Sequence, residues 1–264
     1  MKRVLCPLGL LIAVCALSSA QESGRVTVAG HGNGPRLVDA ATSNGSITVK
    51  TYEGKEVIVE SPSMERHETR TPPGMHRIDV PFGRLEVEEK DNTFTIRDHS
   101  PGGGASIVIT VPVDTNLHLR SSNGGMRVEG VHGEIDAQTS NGSIRLMNVS
   151  GSVLASSHNS PVIVTMDRVD PSKPSAFSTL NGSVDVTLPG DVKATLKMTT
   201  DNGSIYSDFD VNVGAGRAVT EQNNTADGRY RVRFDRTING SINGGGVEMT
   251  FRTANGSIVI RKKK

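Results

Sequence analysis

The feature that most constrains this chain is a short motif, Asn-Gly-Ser-Ile or a close variant, that returns at a nearly fixed interval. Copies of the motif begin at Asn44, Asn123, Asn141, Asn181, Asn202, Asn239 and Asn255, with a degenerate copy at Asn159-Ser160-Pro161-Val162. Successive spacings are 79, 18, 18, 22, 21, 37 and 16 residues. Taken as one unit of 18–22 residues, the spacing of 37 is two units, and 79 is about four, some of them degenerate.

The flanks of the motif repeat as well. Two residues before each Asn stands a hydroxyl: Thr42, Ser121, Thr139, Ser157, Thr179, Thr200, Thr237 and Thr253. Four before, the residue is small or apolar, as at Ala40, Leu119, Ala137, Ala155, Phe177, Met198 and Phe251, with Asp235 the exception. Three after, it is always apolar: Ile47, Met126, Ile144, Val162, Val184, Ile205, Ile242 and Ile258. This is period-two alternation, a corner, and alternation resumed in a changed phase, so an inward face is specified on both sides of the corner.

Asn-Gly between alternating runs is also a strong hairpin signal. The near-constant unit with two strand-like runs favours a coil, in which the pair turns one side into the next. The expectation is therefore an all-β chain, a β-solenoid of repeating 18–22-residue rungs with Asn-Gly corners. Its Asn side chains would be buried and bonded to the copies above and below at the strand spacing of about 4.8 Å. Glycine would supply positive φ at the corner, and Gly54, Gly133 and Gly151 suggest a second corner. No rung buries its apolar side alone, so stacking makes the core and the two solenoid ends could self-associate.

Composition agrees, since the chain has no Trp, only 3% aromatic residues and 29 Gly, with many Thr, Ser, Val and Ile. Basic and acidic residues number 29 and 28, which gives no basic field of the kind a nucleic-acid binder carries. The closing Arg261-Lys262-Lys263-Lys264 reads as a frayed, solvated tail.

The first residues specify export. Lys2 and Arg3 precede an apolar stretch from Val4 to Leu17, and Ser18-Ser19-Ala20 offers a cleavage site, so residues 1–20 read as a signal peptide and 21–264 as the mature β domain. The mature protein would be periplasmic, surface-bound or secreted, with no transmembrane segment after cleavage. A lipoprotein start at Cys15 is disfavoured by Val14, which stands where Gly, Ala or Ser is expected. Both cysteines, Cys6 and Cys15, lie in this segment, which leaves no thiol for catalysis or metal ligation.

Chemistry is sparse. Asp136 and Asp185 read as single carboxylates on a solvated strand face, where polysaccharide-cleaving enzymes need clustered ones. His67 and His76 share a loop at a spacing that matches no metal-ligand pattern. No catalytic residue, cofactor or metal site is expected. The Asn-Gly-Ser glycosylation sequon is read as a by-product of the corner.

The repeat breaks at a long polar loop over 61–84, and loops on regular scaffolds concentrate function. Protein-binding hot spots favour Arg and large side chains. Arg66, Arg70, Met75, Arg77, Phe82 and Arg84 are accordingly the candidate partner-binding residues.

The run Val113-Asp114-Thr115-Asn116-Leu117-His118-Leu119, followed by Ser121-Ser122-Asn123-Gly124-Gly125-Met126 and Gly133 to Ile144, resembles the DUF4097 family of bacterial adhesin-like envelope proteins. The resemblance implies a β-helical scaffold without catalytic residues, binding an envelope protein, glycan or cell-wall surface. It also implies an alternative role as an envelope-stress accessory or sensing component, and architecture alone leaves a carbohydrate-active enzyme as a third reading.

Overall fold

A computed structural model describes residues 25–32, 34–61, 85–98, 104, 106–214, 223–224, 230–231 and 237–264. The signal segment and the candidate loop residues Arg66, Arg70, Met75, Arg77, Phe82 and Arg84 lie outside the described residues, as do His67 and His76.

The described chain is all-β. Its first strands are β1 (Arg25–Val28), β2 (Leu37–Thr42), β3 (Ile47–Tyr52), β4 (Val57–Glu60), β5 (Leu85–Lys90), β6 (Thr93–Asp98) and β7 (Ile107–Pro112). Then come β8 (Asn116–Ser121), β9 (Met126–Glu129), β10 (His132–Thr139), β11 (Ile144–Ser157), β12 (Val162–Val169), β13 (Ser175–Asn181) and β14 (Val184–Leu188). The last are β15 (Ala194–Asn202), β16 (Ile205–Ser207), β17 (Asn212–Val213), β18 (Asn223–Asn224), β19 (Tyr230–Arg231), β20 (Thr237–Ile242), β21 (Val247–Asn255) and β22 (Ile258–Lys262). Apart from the β18–β19 pair, all belong to one 20-stranded sheet, which curls into a nearly closed, barrel-like wall.

Most pairings are parallel and in register. One wall runs β6, β2, β8, β10, the end of β11, β13, β21, β15. The other runs β7, β3, β9, the start of β11, β12, β14, β22, β16. The links between the walls carry the Asn-Gly pairs, as between β2 and β3 and between β8 and β9. Antiparallel strands finish the sheet: β4 on β7 with β1 beyond it, β5 on β6, and β20 on β15 with β17 beyond it.

Spatial order departs from chain order at both ends. The early pair β2–β3 lies between β6–β7 and β8–β9, and the last pair β21–β22 lies between β13–β14 and β15–β16. The spacing of 79 between Asn44 and Asn123 is therefore one step of the stack, not four degenerate units. The spacing of 37 is not two units either, because Asn239 sits in the antiparallel β20, opposite Lys197. The C-terminus is also no frayed tail: β22 pairs on both sides, and Lys263 Nζ reaches Asp167 at 2.7 Å.

Two rows of side chains read from the motif lie in the core. Ala40, Leu119, Ala137, Ala155, Phe177, Phe251 and Met198 follow one another across the first wall, each at most 2% exposed. Ile47, Met126, Ile144, Val162, Val184 and Ile258 do the same across the second. Each large apolar side chain so buried contributes roughly 1.5–3 kcal/mol. Phe177 and Phe251 stack with ring centroids 5.2 Å apart.

The corner glycines are required for a reason other than the one expected. Gly124 and Gly142 do not have positive φ. A Cβ on Gly142 would instead stand 2.0 Å from the Gly124 carbonyl oxygen, and one on Gly124 would stand 1.7 Å from that of Gly45. Close approach of successive corners, not backbone handedness, excludes a side chain. Positive φ does occur at the second corner, at Gly151 (120°), which pairs with Gly133. Gly54 belongs to a different bend and packs against the Tyr52 ring.

Candidate functional site

The site is built on two hydrogen-bond ladders that run along the corner. The hydroxyl two residues before the Asn points inward, and at three of the motifs it accepts the amide N–H of the glycine that follows the Asn: Gly45 to Thr42 Oγ1 (3.3 Å), Gly124 to Ser121 Oγ (2.8 Å) and Gly142 to Thr139 Oγ1 (3.2 Å). It donates in turn to the corner beneath: Thr139 to Gly124 O (3.1 Å), Ser157 to Gly142 O (3.0 Å), Thr253 to Gly182 O (2.8 Å). These hydroxyls are buried, and each satisfies backbone groups that a sharp corner takes out of the strand ladder.

The asparagines form the second ladder. Each side-chain amide donates to the next side-chain carbonyl, in the order Asn202, Asn255, Asn181, Asn159, Asn141, Asn123, Asn44, at 2.6–2.9 Å. The degenerate copy at Asn159 is a full member. Burial was the expectation for this ladder, but all seven asparagines are exposed. Burial belongs to the hydroxyls, because only one of the two side chains flanking the corner can face the core.

Beside the Asn ridge, on the outside of the first wall, lies an open polar groove of about 550 Å³. Parallel in-register pairing makes it continuous, since each strand adds one residue to each row. One row is Ala41, Arg120, Gln138 and Ser156, and the row nearest the ridge is Ser43, Ser122, Ser140 and His158. Arg97 and Asp98 close one end. Arg120 is exposed and enters no ion pair among the described residues.

The adjoining row carries Asp39, His118 and Asp136 on neighbouring strands. His118 Nε2 lies 3.3 Å from Asp136, and its Nδ1 lies 3.6 Å from Asp39. Arg97 grips Asp39 at 2.9 Å, and Gln138 donates to Asp136 at 3.0 Å. Asp136 is therefore not the isolated surface carboxylate its sequence position suggests. Asp185 is paired too, with Arg261 at 2.9 Å. The hydrogen bond from Arg261 to Asp185 raises the guanidinium pKa above its ordinary value, with their Coulomb attraction adding to it. No sequence motif announces the His118 network, since its members are joined only by strand register.

Among the described residues no group of three or more His, Cys, Asp or Glu side chains could hold a metal ion, and no helix is long and apolar enough to cross a membrane.

No family model and no curated protein matches the chain. Among solved structures it is similar to the crystal structure of a putative cell adhesion protein from Clostridium sporogenes, with a TM-score of 0.50 and 11% identity, over 92% of this chain and 100% of that one. At that identity the likeness is one of all-β fold.

Proposed function

We propose that this chain is an exported, non-catalytic scaffold of the adhesin-like type, and that it holds a glycan or an extended segment of an envelope protein along the groove beside the Asn ridge. The observation that carries this reading is the continuity of the groove. Four neighbouring strands present hydroxyl, amide and guanidinium groups in straight rows at a repeat of about 4.8 Å, a layout suited to an extended polar ligand. A β-solenoid entered out of chain order at two places best accounts for the two ladders, and DUF4097 remains the family whose pattern it resembles. The fold shared with the clostridial protein is consistent with that reading.

The engagement of Asp39 and Asp136 with Arg97, His118 and Gln138 supports binding over hydrolysis. Glycoside cleavage uses one carboxyl as proton donor and a second facing it across the scissile bond.

Retention of the secreted protein on cell-wall and envelope fractions tests the assignment. Replacing Arg120 with Glu and Gln138 with Ala should reduce retention without changing the β-rich circular dichroism. Retention that survives both changes but falls when the 61–84 segment is shortened would move the contact to that segment.

A further inference from the structure

One copy of the motif departs from the others in a way its backbone does not require. Ser follows Asn-Gly at Ser46, Ser143, Ser183, Ser204, Ser241 and Ser257, whereas Gly125 takes that position after Asn123-Gly124. A Cβ on Gly125 would meet nothing closer than 3.4 Å, and its φ is not positive. A serine would fit. Its absence leaves a notch between Ser46 and Ser143, the flanking members of the row, where Ile47 N–H bonds to Gly125 O and Met126 N–H to Ser143 O.

Two residues along, on the same outer face of the second wall, Arg127 and Arg145 stand directly opposite each other in parallel register. Like charges so placed repel. Neither is neutralised by a carboxylate in its row, for Thr48 lies beyond Arg127 and Ile163 beyond Arg145. Glu129 approaches Arg127 only to 3.8 Å and faces Lys50 across the next strand. Arg145 has no ion pair among the described residues. Arg127, Arg145, Ser46, Thr48, Ser143 and the Gly125 notch line a pocket of about 160 Å³, across the Asn ridge from the groove.

We propose that this pocket is an oxyanion site, taking a sulfate, phosphate or carboxylate group between Arg127 and Arg145 with the Gly125 notch as its seat. Guanidinium groups bind such oxyanions through paired charge-assisted hydrogen bonds. An anion between them turns repulsion into attraction, and the Ser143 hydroxyl supplies a further donor. The shared chemistry is the oxyanion, whether free in solution or borne on an acidic polysaccharide. The site is independent of the groove and of the adhesin-like reading.

Titration calorimetry of the intact secreted protein tests it, with sodium sulfate, sodium phosphate and a sulfated polysaccharide as separate probes against sodium chloride at matched ionic strength. Arg145→Ala and Gly125→Ser should each weaken binding by about tenfold or more, a loss of ~1.4 kcal/mol. Arg252→Ala, which removes one positive charge elsewhere, should leave it unchanged. Because Gly125→Ser restores the residue used at other corners, its melting temperature should match the wild type, so lost binding cannot be ascribed to misfolding. Binding of the free anions identifies a small-ion site, and binding of the polysaccharide alone identifies a polymer-borne group. Equal affinity in wild type, Gly125→Ser and Arg145→Ala, or no binding of any probe, overturns the proposal.

Discussion

Asn123 donates its side-chain amide to Asn44 at 2.6 Å across 79 residues of intervening sequence. The bond marks where the early β2–β3 pair enters the stack, and it belongs to the same ladder as the bonds between Asn123, Asn141 and Asn159, whose partners are 18 residues apart.

Interrupting that ladder should cost a measurable but modest amount. Asn141 both accepts from Asn159 and donates to Asn123, in solvent. Asn141→Ala is expected to lower stability by about 1 kcal/mol, the net worth of hydrogen bonds that water can partly replace. Asn239→Ala, off the ladder, should cost less. Urea unfolding of the two variants compares them, and equal losses would show that the ladder adds nothing.

The inner ladder should matter more. Thr139→Val keeps shape but strands the Gly142 N–H and removes a donor to Gly124 O in a buried setting. Unsatisfied buried groups cost roughly 1–3 kcal/mol each, so this variant should unfold at clearly lower urea than Asn141→Ala. The reverse ranking would overturn the assignment of burial to the hydroxyls.

Gly142→Ala places a Cβ 2.0 Å from a neighbouring carbonyl oxygen, a clash relieved only by parting two corners. A loss of about 1–3 kcal/mol or more is expected from such overpacking. Gly34→Ala, where a Cβ meets nothing within 4 Å, is the matched control and should fall within roughly 0.5 kcal/mol of wild type. Thermal melts of both decide the matter.

Acid should loosen the β5–β6 hairpin first. Glu89 accepts the backbone N–H groups of His31 (3.0 Å) and Asn92 (2.9 Å), and its other oxygen contacts the His31 ring. The bond from the His31 backbone, then that from its ring, hold the carboxyl pKa below the usual glutamate value. A carboxyl with a depressed folded-state pKa stabilises the fold fully above its unfolded value, about 4.3, and that contribution fades as pH falls through the folded value. The hydrogen-exchange protection of the Asn92 amide, relative to its intrinsic rate at each pH, should therefore fall below about pH 4.3 in the wild type. In Glu89→Gln that acid-dependent step should be absent, and its persistence would implicate another group.

How far the sequence could be read depended on the range of the interaction involved. The hydroxyl, Asn and apolar positions of each corner lie within seven residues of one another, so local alternation was enough to assign the inward rows from Ala40 to Met198 and from Ile47 to Ile258. Which side chain at the corner is buried was not legible, because Thr139 and Asn141 are both small polar residues and only the direction of the turn separates them. Nor was the role of glycine, since a requirement for positive φ and a requirement for close approach leave the same letter. The His118 network and the Arg127–Arg145 pair were invisible for a related reason. Their members sit on different strands, 18 residues or more apart, and meet only through register.

The amino-acid sequence by itself determined that the described chain is all-β and which residues of the motif rows face the core, because alternation and turn chemistry act between near neighbours. Tertiary structure decided the order of the stack. Nothing local distinguishes β21–β22 placed between β13–β14 and β15–β16 from the same strands placed at the end, since the motifs at Asn181, Asn202 and Asn255 carry the same amide, hydroxyl and glycine. The choice falls to long-range packing, such as Phe251 against Phe177 on one side and Met198 on the other, and to the antiparallel β20 that occupies the far edge of β15.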